Sequence, residues 1–316
     1  MDVLGIDVSK ADFHACLLQG GRRSRHSFAN NSSGYRQMER WLKNRKCADA
    51  HACMEATGAY WLGIAQALHR AGMSVSVVNP ARTVLFARSQ LRRTKTDRVD
   101  AEMIAEFCQT QRPDLWQPPS PETLELRALL TYRQQLIAQR TALKQVMSQV
   151  RGSADLLQLH NTQMHHVNDA IQGVEAQLRA KIKEHEALRR HAASLTAVKG
   201  IGFLAAASII ARLPIERIRN AKAAAAYVGL TPSERQSGTS VHGKPRICKT
   251  GNSELRRDLY MPALAAIRFN PILKAFAERL RDKGKPEKVI IAAVMRKLIV
   301  LAYRILSGGI PAPAAA

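Results

Sequence analysis

The stretch RTKTDRVDAEMIAEF, residues 93–107, carries two aspartates three apart, Asp97 and Asp100, at the head of a segment whose apolar residues Ala101, Ile104, Ala105 and Phe107 recur at helical spacing. Both carboxylates therefore share one face of a helix. Two earlier apolar runs of strand type each end in one more acid: Asp7 in VLGIDVSK (3–10) and Glu55 in HACMEATGAY (51–60). Taken singly, Asp7 also reads as a helix cap and Glu55 as a solvent-facing residue. Four carboxylates from three separated segments predict a divalent-metal site. Mg²⁺ suits such a set, because it takes oxygen ligands, keeps several waters and binds protein carboxylates together with substrate phosphates.

Around these residues the first 110 positions alternate between strand and helix signals. Residues 2–8, 13–19 and 22–29 read as three consecutive strands, and a helix over about 34–44 has Tyr35, Met38, Trp41 and Leu42 on one side. The run Asn30-Asn31-Ser32-Ser33 supplies turn residues and a cap for that helix. A strand at 51–56, a helix near 60–71 and a strand at 74–78 ending in Asn79-Pro80 follow. A meander of three strands, then alternating helix and strand, is the order of ribonuclease-H-like folds, in which the first strand, the fourth strand and a late helix bring acids together.

Four prolines, Pro113, Pro118, Pro119 and Pro121, mark a linker and a domain boundary. From about 122 to 192 the pattern predicts two long helices, broken near Gly152-Ser153 and at His160-Asn161-Thr162. Leu129, Leu136, Leu143 and Val150 in the first, and Val167, Ile171, Val174 and Leu178 in the second, fall at heptad-like spacing. An antiparallel helical hairpin and a dimerising coiled coil both fit, and Arg133 and Arg140 on the inner seam leave room for nucleic-acid contact. Beyond Leu195, Gly200-Ile201-Gly202 stands between two short helices, the pattern of a helix-hairpin-helix whose glycine amides approach a DNA phosphate. Such a turn also serves merely to pack two helices; Lys199 beside it favours nucleic acid. The segment TPSERQSGTSVHGKPRICKTGNSELRR (231–257) reads as a long functional loop, with Arg235, His242, Lys244, Arg246, Lys249, Arg256 and Arg257 as candidate phosphate contacts. The expected division is residues 1–112, 113–194 and 195–316.

Charge narrows the partner. The 48 Lys and Arg against 25 Asp and Glu leave a formal +23 over 316 residues, which points to a polyanion. The basic residues are spread along the chain rather than gathered in one amphipathic helix, which disfavours a membrane surface. No apolar run of about 18 residues and no signal-peptide pattern occurs, so a cytoplasmic, DNA-associated protein of a bacterium is expected. Five cysteines, Cys16, Cys47, Cys53, Cys108 and Cys248, show no C-x-x-C spacing, which argues against a disulfide framework or a zinc site. Aromatics are 5% of the chain, so phosphate contacts rather than base stacking should dominate binding.

Seven stretches together resemble the insertion-sequence transposases of the IS110 type: GIDVSK (5–10), MEATGAY (54–60), VVNPA (77–81), KTDRVDAEMIAEF (95–107), VKGIG (198–202), YVGLTPSERQSG (227–238) and KTGNSELRRDLYMPA (249–263). The resemblance implies a RuvC-like α/β nuclease domain, a helical hairpin of coiled-coil type and a mainly α transposase domain. It further implies that Asp7, Glu55, Asp97 and Asp100 are a DEDD tetrad binding Mg²⁺, that Ser237 is a nucleophilic serine, and that a structured noncoding bridge RNA guides the enzyme to donor and target DNA.

The function expected is thus a Mg²⁺-dependent DNA recombinase, a homo-oligomer (dimer or tetramer), joining DNA through Ser237. The alternative is a Holliday-junction-type endonuclease that uses the same four carboxylates to activate water. A non-catalytic nucleic-acid-binding protein is the third possibility. Ser237 has the least physical warrant of the five catalytic candidates, since Ser233, Thr239 and Ser240 share its segment and a Ser-Gly pair is an ordinary turn.

Overall fold

Alternation of buried and polar residues builds a five-stranded sheet from the first third of the chain. In the computed structural model the strands are β1 (Val3–Val8), β2 (Asp12–Gln19), β3 (Arg22–Ala29), β4 (His51–Glu55) and β5 (Val75–Val78). The structure describes residues 2–58, 60–90, 97–150, 153–237 and 241–309, with only the backbone path at 97, 98, 148, 150, 234–237 and 241–245. The strand order is β3-β2-β1-β4-β5, with β1 antiparallel to β2 and parallel to β4. Helices α1 (Ser32–Lys43), α2 (Trp61–Arg70), α3 (Pro80–Ser89) and α4 (Asp97–Gln111) complete this unit, which spans Met1–Pro119. Asn31 caps α1 by accepting from the amides of Ser33 and Gly34, as the Asn-Asn-Ser-Ser run predicts.

Successive side chains of a strand point to opposite faces, and the two faces of this sheet hold different cores. Leu4, Ile6, Ala52 and Met54 face a cluster with Met38, Leu42, Ile64 and Leu68 of α1 and α2. Val3 and Cys53 face the other way, onto Ala101, Ile104, Ala105 and Cys108 of α4. The proline-rich segment is part of this unit: the Trp116 amide donates to Val75 O at 2.6 Å, and the buried Trp116 ring meets Trp61 edge-on.

The second unit, Ser120–Ala316, is mostly helical. It comprises α5 (Pro121–Val150), α6 (Ala154–Glu184), α7 (Glu186–Thr196), α8 (Phe203–Arg212), α9 (Ala221–Tyr227), a two-stranded antiparallel sheet of β6 (Pro232–Ser237) and β7 (Val241–Ile247), α10 (Ser253–Asp258), α11 (Tyr260–Phe269), α12 (Pro271–Asp282) and α13 (Glu287–Leu306). Helices α5 and α6 run antiparallel, since Glu125 meets Lys181 and Arg133 meets Glu175, with Leu126, Leu136, Val167, Ile171, Val174 and Leu178 buried between them and α8. Arg133 on the inner seam is thereby tied within the pair of helices. The predicted break at residues 160–162 is absent: α6 runs through it, with His160 buried. The stretch expected to be a loop instead carries β6 and β7, whose strand pattern Pro232, Gly243 and Pro245 conceal.

Among the described residues no helix is long and apolar enough to cross a membrane.

Candidate active site

The site is built at one end of the sheet by the approach of α4 to β1. A Cβ added at Gly5 would lie 2.2 Å from Ala101 O and 2.3 Å from Ala105 N, so only glycine lets the helix backbone rest on the strand. Farther along α4, the Cys108 thiol reaches within 4.0 Å of His51 O, at the start of β4. The helix therefore runs against the strand direction, and its first turn, which begins at Asp97, lies toward the carboxyl ends of β1 and β4. Asp7 and Glu55 sit at those ends. The last paired residues of the two parallel strands are Ile6 and Met54, and each acid is the next residue along its strand. Both continue the face that carries Gly5 and Cys53, which is the face α4 covers. Opposite Asp7 on the antiparallel neighbour stands His14, so that pair shares the same face.

Glu55 is held from a second direction. Asn79 caps α3 by accepting from the Ala81 amide, with Pro80 opening the helix, and this turn delivers the buried Thr83 hydroxyl to Glu55 Oε1 at 2.5 Å. Thr57 Oγ1 lies 3.4 Å from Glu55 Oε2. Helix α3 is fastened to α4 by Phe86, whose ring meets Phe107 edge-on at 5.6 Å, and by Arg82, whose guanidinium lies 5.3 Å from the centre of the Phe107 ring.

The buried Glu102, two residues beyond Asp100, accepts from Arg25 and pairs with Arg23 of β3, and Arg23 also reaches Glu106 at 3.0 Å. Two arginines of the basic edge strand thus anchor α4. Beneath the site the buried Cys53 and Cys108 thiols share a hydrogen bond; that bond and burial push Cys53 up, and it stays a neutral thiol.

Asp7, Glu55 and the head of α4 thus come to one end of one face. Among the described residues no group of three or more His, Cys, Asp or Glu side chains stands close enough to hold a metal ion, and the Asp97 side chain lies outside them. The donor chemistry nonetheless suits a hard divalent cation, since carboxylate oxygens are what such an ion takes.

A family model described as a transposase, of the DEDD IS110 type, matches residues 4–150, and one described as the transposase IS116/IS110/IS902 family matches residues 192–278. The pilin gene-inverting protein of Moraxella bovis is 32% identical over 311 residues, 96% of this chain and 95% of that one. The chain belongs to the IS110 family of transposases. The transposase is equally similar to the pilin gene-inverting protein of Moraxella lacunata, again 32% identical over 311 residues and the same shares of both chains. It is 24% identical over 303 residues to the transposase for insertion sequence element IS1111A of Coxiella burnetii, covering 84% of this chain and 78% of that one. A RuvC-like DEDD transposase domain is thus followed by a mostly helical region, and the protein is a DNA recombinase of this family.

In the second unit of the transposase, Ser237 ends β6, its backbone paired with Val241 across the ladder. The side chains of Ser237, Arg235, His242 and Lys244 lie outside the described residues. Arg246 and Lys249 are exposed, and Lys249 adopts a left-handed backbone with φ of 55°. Arg256 turns inward: its Nη1 donates to Val228 O at 2.8 Å and to Lys249 O at 3.1 Å, tying the base of the β6–β7 hairpin to the end of α9. Arg257 Nε donates to Asp258 Oδ1 at 3.1 Å. Gly200 has a φ of 108°, and a Cβ there would come within 2.6 Å of the Ala266 Cβ, so this glycine packs the turn against α11. Gly202 begins α8 with open space around it, and Lys199 O accepts from Asn270 Nδ2 at 3.1 Å.

Thr83, Glu102 and His14 were not legible as site residues, because each gains its place from a strand or helix far away in sequence. The Asn79-Pro80 pair was the only available signal for Thr83, since it caps the helix that carries it.

Proposed function

We propose that this transposase excises and inserts its element by Mg²⁺-dependent, serine-linked strand exchange, with Asp7, Glu55, Asp97 and Asp100 as the metal-binding tetrad and Ser237 as the nucleophile. One observation supports the tetrad above all: Asp7, Glu55 and the first turn of α4 share one end of one sheet face. When bound, Mg²⁺ supplies Lewis-acid stabilisation of the charge on the scissile phosphate. Carboxylates on a packed sheet and helix need little reorganisation for that task. The Ser237 hydroxyl, a weak nucleophile unless activated, attacks phosphorus; the Oγ–P bond forms, the bond to the 3′ oxygen breaks, and the hydroxyl proton ends on that oxygen. The phosphoserine link keeps the phosphodiester energy, so rejoining to a new partner needs no ATP.

Lys199, Gly202, Arg235, His242, Lys244, Arg246, Lys249 and Arg257 are the proposed nucleic-acid contacts of the second unit, while Gly200 and Arg256 act indirectly, through the turn and the hairpin base that they hold. The +23 charge suits donor DNA, target DNA and a guiding bridge RNA together. A homo-oligomer in which Ser237 of one copy serves the tetrad of another accommodates a serine and a tetrad carried by different units.

The decisive experiment expresses the protein with its native flanking DNA, purifies it under denaturing conditions and assays covalently attached DNA in wild type and Ser237→Ala. An adduct confined to the wild type is expected. Cleaved DNA with no adduct in either protein would overturn the serine mechanism in favour of water activation.

A further inference from the structure

The Thr83 side chain is fully buried, one turn into α3, and its only function within the helix would be a bond back to Pro80 O, 2.8 Å away. The same hydroxyl lies 2.5 Å from Glu55 Oε1. A hydroxyl carries one proton, and a carboxylate is a stronger acceptor than a peptide carbonyl, so the proton goes to Glu55. Glu55 Oε2 accepts only the longer, 3.4 Å bond from the exposed Thr57 hydroxyl, and is the oxygen more open to a cation.

We infer that Thr83 is a positioning residue of the metal site: it pins Glu55 Oε1, fixes the carboxylate plane and makes Glu55 a one-oxygen ligand through Oε2. This inference rests on the tetrad proposed above. Three features of the fold converge on it. The Asn79 cap and Pro80 set where α3 begins; Phe86 and Arg82 on Phe107 hold α3 against α4; and the Ala56 amide donates to Val78 O at 2.9 Å, fixing the Glu55 backbone beside the strand that leads into α3. Groups that hydrogen-bond a ligating carboxylate orient it, and their loss typically weakens metal affinity about 10- to 100-fold.

The test measures Mn²⁺ binding by the full chain without DNA, from the paramagnetic resonance signal of free Mn²⁺, so that no readout depends on recombination. Thr83→Val keeps the side-chain shape and removes the donor; its affinity is expected to fall about 10-fold or more, while Thr83→Ser, which restores the hydroxyl, stays within about 3-fold of wild type. Thr83→Cys, a weak donor, is expected to fall between them, and it decides the matter should the valine variant not fold. Wild-type affinity in folded Thr83→Val or Thr83→Cys, with Glu55→Gln binding lost, would overturn the role of Thr83 and leave the tetrad standing. Wild-type binding that is absent, or unchanged by Glu55→Gln, would remove the tetrad itself and this inference with it.

Discussion

Gly5 of β1 and Ala105 of α4 meet backbone to backbone, with 2.3 Å between the Ala105 nitrogen and the position a Gly5 Cβ would take. Neither atom is the end of a flexible side chain, so a methyl group at residue 5 can be accommodated only by lifting the helix. Gly5→Ala is expected to destabilise the first unit by about 3 kcal/mol or more, since overpacking against backbone has no rotamer to relieve it. Because the same helix begins with Asp97 and Asp100, any protein that still folds should lose recombination out of proportion to its stability. Denaturant unfolding together with a plasmid recombination assay checks both parts.

Gly200 and Gly202 separate packing from recognition in the turn before α8. Gly200 combines a φ of 108° with contact on Ala266, so Gly200→Ala should destabilise the second unit strongly. Gly202 faces open space, and replacing a helix-capping glycine by alanine costs on the order of 1 kcal/mol. If this turn approaches a phosphate, Gly202→Ala should weaken DNA binding while the thermal midpoint shifts by only a few degrees. Binding by Gly202→Ala equal to wild type would reduce the turn to a packing device.

The sheet was legible because its strands alternate and its punctuation is explicit: each of β1 to β5 falls within a residue or so of its predicted span. Helix α3 went unread, since Pro80 opens it and only Thr83 is buried along its length. The β6–β7 hairpin was hidden by glycine and proline within its strands. Of the proposed tetrad, the residue types and the helical spacing of Asp97 and Asp100 were in the sequence, whereas the meeting of β1, β4 and α4 depends on Gly5, whose significance appears only when the helix rests on it. The ion pairs of the buried Glu102 with the half-exposed Arg23 and Arg25 show the converse: residues that add to a nucleic-acid-like net charge are partly spent on internal contacts.

Phosphate contacts predict the salt response of binding. For a protein neutralising six to ten phosphates, affinity falls about 10³- to 10⁵-fold between ~50 and ~200 mM salt. The transposase is expected to show a slope of this order in fluorescence anisotropy titrations with duplex DNA. Arg246→Ala and Lys249→Ala, both at exposed positions, should each flatten the slope by about one unit. Arg256→Ala should instead lower stability, because its guanidinium closes the hairpin base.

Alkaline pH tests a contact of the first unit on the side opposite the face that α4 covers. The buried Cys47 thiol donates to Asp2 Oδ2 at 3.1 Å, and burial, that hydrogen bond and the Asp2 charge push its pKa from 9.0 up to about 11. The folded protein therefore favours the protonated thiol more than the unfolded chain does. This contribution is complete below about pH 9 and is lost as pH rises through about 11. In Cys47→Ala the contribution is missing at every pH, so urea midpoints of wild type and variant should differ most at pH 7–8 and converge as pH climbs toward 11. Cys47 should likewise resist alkylation at pH 8 in the folded protein and react once the chain is unfolded, because the thiolate is the nucleophile. A midpoint difference that stays constant over this pH range would assign the contact to packing alone.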